Sequence, residues 1–201
     1  EYIEAPSFTF TATPASVISA GLELLLVDID SNFRMVPTGN NHSVIDVLPF
    51  GNTLRHEDWY DSFAFNLIDA AASFDALKGF GEYFHPKNMY SIVVSLHATK
   101  LLGAGEGGIV ISNNPGFIRK IKEWSNFGFS SHGSVRESHF AGTNSKLSEY
   151  SCAVALASLD RWSQVRDLYL KNVDLVRHVL KDSPFASYET TLEGLATPYW
   201  I

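Results

Sequence analysis

Short uninterrupted apolar runs constrain the fold of this chain more than any other sequence feature. Five of them, rich in Val, Ile and Leu, are separated by helix-like stretches and occupy residues 22–29, 43–50, 65–72, 90–96 and 108–112. Because these runs do not alternate polar with apolar residues, they predict strands that are buried on both faces of a sheet. Helices are expected over 12–20, 55–63 and 115–125, the last with Pro115 in its first turn. This alternation predicts an α/β fold around a mixed, mostly parallel sheet.

The stretch from Lys146 to Asp182 contains neither glycine nor proline, and its apolar residues keep roughly helical spacing. It predicts one long helix or two nearly continuous ones. Residues 196–201 then read as a new strand. Because the chain begins in one predicted strand and stops in another, we expect it to be part of a longer protein.

Composition and charge narrow the class of protein. The 201 residues, 45% hydrophobic and 18% charged, predict one large globular domain. The net charge of −7, with no basic cluster longer than Arg119 to Lys122, argues against nucleic acid or an anionic membrane as a partner. A single cysteine, Cys152, excludes an internal disulfide and is expected to be a small buried residue. No apolar run reaches the roughly 18 residues of a membrane span, and we expect a cytoplasmic protein without metal ligands.

Residues 103–108 contain the glycine spacing G-x-G-x-x-G, which in other contexts binds a dinucleotide. In such sites the glycines follow a strand and open a helix, whose N-terminus holds the phosphate. Here they lead into the strand-like run "IVIS", and no Gly-Lys-Ser/Thr follows them. A Rossmann site is therefore disfavoured, a P-loop is excluded, and a tight turn between two strands is favoured.

Lys100 and Asp69 each follow or end a predicted buried strand. In α/β folds, functional groups gather at the carboxyl ends of the strands. A carboxylate on a buried strand needs a positively charged or hydrogen-bonding partner, and a pyridinium nitrogen would be one. A lysine that forms an imine and an aspartate that pairs with the pyridinium are the minimum equipment for pyridoxal phosphate chemistry. The alternative is that Lys100 is a solvated surface residue.

Four segments together resemble one known family. They are "APSFTFTATPASVISAGLELLLVDID", "LIDAAASF", "SLHATKLLGAGEGGIVIS" and "GTNSKLSEYSCAVALASL", in that order. They are similar to the motifs of the DegT/DnrJ/EryC1/StrS sugar aminotransferases, a branch of the fold-type I pyridoxal phosphate enzymes. The resemblance implies a three-layer α/β/α large domain with a mixed, mostly parallel sheet over residues 1–182. Residues 183–201 would begin the small C-terminal domain.

The resemblance also implies roles for Lys100 and Asp69. Lys100 would bind the cofactor covalently and move the proton between the substrate carbon and the cofactor. Asp69 would keep the pyridine nitrogen protonated, which makes the ring an electron sink.

Four further cofactor contacts follow from the same resemblance. Phe10 would stack on the ring, or else would belong to the core. Ser95 would donate a hydrogen bond to the phosphate. Ala72 stands where the family has a glutamine near the ring oxygen. Asn144 would bind the phosphate of the neighbouring subunit, and could also be a helix N-cap, which is a compatible role.

The function implied is transfer of an amino group from glutamate or glutamine to a nucleotide-linked keto-sugar, by a homodimer. The alternative is a catalytically incomplete or regulatory relative, since Ala72 and Lys146 replace the family's glutamine and arginine, and the family's phosphate loop would precede residue 1. The stretch between Asp30 and Ser43 is also shorter than in the family, as though a helix were missing. A sugar dehydratase of the same fold is disfavoured because that branch has histidine in place of the lysine.

Overall fold

Six strands form a single sheet in the computed structural model, which describes residues 2–39, 43–52, 65–77, 90–130 and 137–183. The sheet has the order β2-β1-β3-β4-β5-β6. The first five strands are parallel to their neighbours and β6 is antiparallel to β5. The mixed, mostly parallel sheet is therefore confirmed. The strands are β1 (Tyr2–Pro6), β2 (Glu23–Val27), β3 (Ser43–Val47), β4 (Phe65–Asp69), β5 (Tyr90–Ser95) and β6 (Gly108–Ser112).

Four helices accompany the sheet within the described ranges: α1 (Ala12–Ser19), α2 (Pro115–Trp124), α3 (Glu149–Asp160) and α4 (Trp162–Leu180). The start of α2 is fixed by Pro115 and by Asn114, whose Oδ1 accepts a hydrogen bond from the Phe117 N–H at 3.1 Å. The glycine-free stretch forms two helices, separated at Arg161. The helix predicted over 55–63 and the strand predicted over 196–201 lie outside the described residues, as do residues 184–201 of the predicted second domain.

The core lies at the centre of the sheet. Side chains of β4, β5 and the ends of neighbouring strands form one fully buried cluster, made of Leu48, Ile68, Ala70, Ile92 and Val94. On β3 all five residues are buried. A second cluster brings Val17 of α1 onto β1 and β3, where it meets Ile3 and Ile45. The middle strands therefore have the burial on both faces that their uninterrupted apolar runs predict.

The prediction of burial on both faces is wrong for β2. Leu25 is 39% exposed and Leu26 is 52% exposed, and Val27 is the one residue of this strand that is buried. The reason is position, because β2 lies at the edge of the sheet and has a neighbouring strand on one side only. Cys152 likewise differs from its expected burial, since it is half-buried on α3.

The connection from β2 to β3 makes polar contacts with side chains of β1 and β3. Its described residues, 28–39, contain no helix. Arg34 pairs with Asp46 of β3, and both side chains are buried. The hydroxyl and the N–H of Thr38 both donate to the carboxylate of Glu4, which is fully buried on β1. These contacts satisfy polar groups that a sheet face would otherwise bury without partners.

We predict that Ile68→Ala lowers the free energy of unfolding by about 2–5 kcal/mol, because Ile68 is fully buried and the substitution leaves a cavity. Leu26→Ala on the sheet edge is the matched control and should cost far less. Urea denaturation followed by circular dichroism measures both. Equal losses for the two variants would contradict the assignment of the core.

Candidate active site

The ends of β4 and β5 bring the two principal predicted residues to one edge of the sheet. The strands are parallel neighbours, with Asp69 opposite Val93. Asp69 is the last residue of β4 and Ser95 is the last residue of β5. Lys100 follows in the loop that leaves β5. The predicted gathering of Asp69, Ser95 and Lys100 at the carboxyl edge of the sheet is therefore observed.

Asp69 is held by two hydrogen bonds. The Thr13 hydroxyl donates to its Oδ2 at 2.7 Å, and the Ala71 N–H donates to its Oδ1 at 3.0 Å. The hydroxyl of Thr9 lies 3.1 Å from that of Thr13 and is the donor there, since Thr13 gives its own proton to Asp69. Thr13 is buried on α1 and is a site residue that the sequence reasoning missed. The signal available was a threonine in the first turn of the helix after β1.

The glycines after Lys100 form a hairpin. We call residues 97–107 the lysine loop. The Leu96 N–H donates to the Gly107 carbonyl oxygen at 2.9 Å, and the Ala98 N–H donates to that of Gly105 at 2.8 Å. Gly105 and Gly107 have φ of 93° and 133°, which side-chain-bearing residues rarely adopt. The glycines therefore lie in the connection between β5 and the antiparallel strand β6, as predicted, but this connection runs over residues 96–107 and is longer than a tight turn.

His97 fixes the turn that carries Lys100. Its carbonyl oxygen accepts the Lys100 N–H at 2.9 Å, and its Nδ1 accepts the Thr99 N–H at 3.2 Å. Its Nε2 lies 3.6 Å from Glu106 Oε1, on the other side of the lysine loop. The carbonyl oxygen and Nδ1 of His97 therefore fix the turn at Thr99 and Lys100. Sequence reasoning gave His97 no role.

The lysine loop also packs against the core and against α3. Its buried residues Leu102 and Ala104 join Leu96 in a cluster against Phe74 and α3. The Ser158 hydroxyl of α3 donates to the Gly103 carbonyl oxygen at 3.1 Å. A Cβ on Gly103 would lie 2.9 Å from the carbonyl oxygen of Ala98, which is closer than such contacts normally come. The loop is therefore fixed by its backbone, its core side chains and α3 together.

Phe10 and Ala72 lie on the two segments that adjoin Asp69, namely the turn before α1 and the loop after β4. Phe10 is 79% exposed, so the alternative that it belongs to the core is wrong. Its carbonyl oxygen accepts the Thr13 N–H at 3.1 Å, so the backbone of Phe10 is bonded to the threonine that binds Asp69. Ala72 is half-buried, three residues after Asp69. At the end of β5, the Ser95 Oγ accepts the His97 N–H at 3.2 Å, and its hydroxyl can still donate to a phosphate.

Asn144 lies on a different segment. It is exposed and stands opposite Asn126 in an isolated antiparallel bridge after α2. Its expected role as a helix N-cap is wrong, because Ser148 caps α3 by accepting the Ser151 N–H at 3.1 Å. Lys146 Nζ donates to Asn126 Oδ1 at 2.7 Å and lies 4.9 Å from the centre of the Phe127 ring. The charge at this position is therefore bound within the same loop.

These residues fit pyridoxal phosphate. The Asp69 carboxylate uses one lone pair on each oxygen for its two donors and keeps further lone pairs for a protonated ring nitrogen. Lys100 supplies an amine, Ser95 a hydroxyl and Phe10 an exposed aromatic face. Across the ranges that the structure describes, no group of His, Cys, Asp and Glu could hold a metal ion. None of the helices described there combines the length and apolar character needed to span a bilayer.

Comparison with known proteins identifies the family. The sequence model of the DegT/DnrJ/EryC1/StrS aminotransferase family matches residues 72–197, which is more than half of the chain. The chain belongs to this family. The match includes Lys100 and Asn144, whereas Asp69 and Phe10 precede it.

Two curated relatives and one solved structure support this family assignment. The chain is 28% identical over 198 residues to a dTDP-4-amino-4,6-dideoxy-D-glucose transaminase of Shigella dysenteriae, covering 90% of this chain and 51% of the relative. It is 30% identical over 176 residues to a UDP-4-amino-4,6-dideoxy-N-acetyl-beta-L-altrosamine transaminase of Campylobacter jejuni, covering 76% and 44%. A crystal structure from Bacillus cereus ATCC 10987, described as a PLP-dependent aminotransferase, has a TM-score of 0.78 and 27% identity over 93% of this chain and 54% of that one. The chain thus spans about half the length of these proteins, and its fold is that of the family's aminotransferases.

We predict that Thr13→Val weakens the binding of pyridoxal phosphate about tenfold or more, because a hydrogen bond to a charged group contributes about 1.5–3 kcal/mol. The substitution keeps the shape of the side chain and removes the donor to Asp69. Thr11→Val is the control, since Thr11 is exposed and its side chain makes no capping hydrogen bond. Titration of the cofactor, followed by its absorbance, measures both variants. Unchanged affinity in Thr13→Val would show that Asp69 does not need this support.

Proposed function

We propose that this chain carries the cofactor site of a pyridoxal phosphate-dependent aminotransferase. The observation that carries the proposal is the position of Asp69 and the lysine loop at the carboxyl ends of two adjacent parallel strands. Ser95 ends β5, and Phe10 lies in the connection that leaves the end of β1 and leads to α1. The family of the chain supports the same reaction.

Each residue has a distinct task in this proposal. When bound, pyridoxal phosphate supplies an electron sink that stabilises negative charge on the substrate carbon. Asp69 would hold a proton on the ring nitrogen, and Thr13 keeps the Asp69 carboxylate oriented by its hydrogen bond to Oδ2. The amine of Lys100 would bind the cofactor and would move a proton at the substrate carbon. The Ser95 hydroxyl would donate to the phosphate, and the exposed Phe10 ring would stack on the cofactor ring.

The substrate that we propose is a nucleotide-linked keto-sugar, with glutamate or glutamine as the amino donor. The two transaminase relatives support this class, because their names describe amino sugars linked to dTDP and UDP. The single cysteine and the dispersed negative charge support a cytoplasmic enzyme.

A catalytically incomplete relative is the second candidate. It is motivated by Ala72, which offers a methyl group where the family's glutamine would offer a polar one. The two candidates differ in whether the cofactor becomes covalently attached to Lys100.

We predict that borohydride reduction of the protein with pyridoxal phosphate labels Lys100 alone, because this lysine follows a central strand beside Asp69. Mass spectrometry of the digest locates the label. Lys120→Arg on α2 should keep the labelling and Lys100→Arg should abolish it. Label on Lys78, Lys87 or Lys120 would contradict the assignment, and no label at all would favour the incomplete relative.

We also propose that the active protein is a homodimer with the active site at the subunit boundary. Support comes from Asn144, which is exposed on its loop, and from large apolar side chains that α3 and α4 leave exposed: Tyr150, Leu156, Leu159, Leu168, Leu175 and Val179. A second copy would bury such a surface. Trp124, at the end of α2, is 48% exposed and can join it. Trp162 has its ring partners within the chain instead.

We predict that a mixture of Lys100→Ala and Asn144→Ala chains regains activity that neither variant has alone. In a mixed dimer with a shared site, one site carries both defects and the other carries neither. The mixture is unfolded and refolded together before assay, and each variant treated alone is the control. Activity no higher than that of the separate variants would contradict a site built from two subunits.

A further inference from the structure

An ion pair between a buried aspartate and a half-buried arginine joins α4 to the loop that follows Asp69. We call residues 70–77 the aspartate loop. Asp75, in the short helical turn of this loop, has a side chain that is 5% exposed. The Arg166 Nε donates to both of its oxygens, at 2.9 and 2.8 Å, and the Trp162 Nε1 lies 3.3 Å from Oδ1. Trp162 and Arg166 are four residues apart on α4 and therefore face the same side of the helix. Together they hold one carboxylate.

The ring contact beside this ion pair extends it into the core. Phe74 packs edge-on against Trp162, with ring centres 5.2 Å apart and planes at 79°. Phe74 also packs against two separate core clusters. One contains Ile68, the residue before Asp69, and the other contains Leu102 of the lysine loop. A single side chain next to Asp75 therefore contacts the supports of both loops of the candidate site.

Three further hydrogen bonds hold the aspartate loop, one within the loop and two to the residues Leu48 and Asp69 outside it. The Ser73 hydroxyl donates to the Leu48 carbonyl oxygen at 2.7 Å, and the Ser73 N–H donates to that of Ala70 at 2.9 Å. The Ala71 N–H donates to Asp69 itself at 3.0 Å. The segment that joins Asp69 to Asp75 is therefore held by hydrogen bonds at Ala71 and Ser73.

We infer that Asp75, Arg166 and Trp162 are positioning residues, which fix the aspartate loop onto α4 and thereby set the Asp69 carboxylate and Ala72 for the cofactor. The inference rests on the proposed function for what the loop binds, whereas the mechanical link itself does not depend on it. None of the three residues needs to touch the cofactor. Their effect on binding passes through the loop.

Hydrogen exchange without cofactor tests the link directly. In Arg166→Gln, the amides of Ala71 and Ser73 should exchange about tenfold faster or more than in the parent protein. The amide of Ser7, which donates to Val27 at the β1–β2 end of the sheet, should be unchanged. Arg177→Gln is the matched control, because it removes the same charge from an exposed pair with Asp174 on the same helix. Equal acceleration at Ser7 would mean general destabilisation and would overturn the inference, as would unchanged exchange in the loop.

Cofactor titration adds the functional readout. Arg166→Gln should raise the dissociation constant of pyridoxal phosphate about tenfold or more, and Arg177→Gln should leave it within about twofold of the parent. If Arg166→Gln does not fold, Trp162→Phe keeps the ring contact and removes one donor, and should show a smaller change in the same direction in both measurements. Variants with faster exchange and unchanged affinity would overturn the positioning role. A parent protein that binds no cofactor would contradict the proposed function, and the exchange result would still decide the link.

Discussion

Parallel pairing of β4 with β5 is the constraint on which the candidate site depends. Parallel strands end at the same edge of a sheet, so the pairing of Asp69 with Val93 brings a carboxylate and the lysine loop together without any direct bond between them. The fully buried core under Ile68 and Ile92 holds this register, since a shift of one residue would turn every side chain to the opposite face. Each side of the site is also held by a helix. Thr13 of α1 donates a hydrogen bond to Asp69, and Ser158 of α3 donates one to Gly103 in the lysine loop.

The parts of this structure that sequence reasoning could predict are those governed by local pattern. The uninterrupted apolar runs located five strands, and the strand after the glycines argued against a dinucleotide site. The motifs then indicated Asp69 and Lys100. The exposure of β2 was not predictable, because the composition of a strand does not reveal whether it lies at the centre or the edge of the sheet. Thr13 was missed for a related reason, since its bond to Asp69 joins residues that are 56 positions apart. The cap of α3 was misplaced by four residues because asparagine and serine are equally good N-caps, and the choice between Asn144 and Ser148 depends on where the preceding loop lies.

The two halves of the proposed site are built by different means. Asp69 receives its donors from Thr13 and Ala71, so its orientation depends on hydrogen bonds from α1 and from its own loop. The lysine loop depends on hairpin bonds, on two left-handed glycines and on the imidazole of His97. Phe74 packs below both loops and is the point at which these otherwise separate supports meet. This arrangement explains how loops of polar and small residues can hold a constant geometry at the surface of the sheet.

The pair formed by Arg34 and Asp46 has a consequence for how this sequence can change over time. Both side chains are buried, and losing one partner of a buried pair costs about 3–5 kcal/mol, whereas replacing both with apolar residues is often neutral or stabilising. A single substitution at either position therefore destabilises the folded chain, whereas replacement of both residues together need not. Among natural variants of this protein, the two positions should be inherited as a coupled pair, either both charged or both apolar.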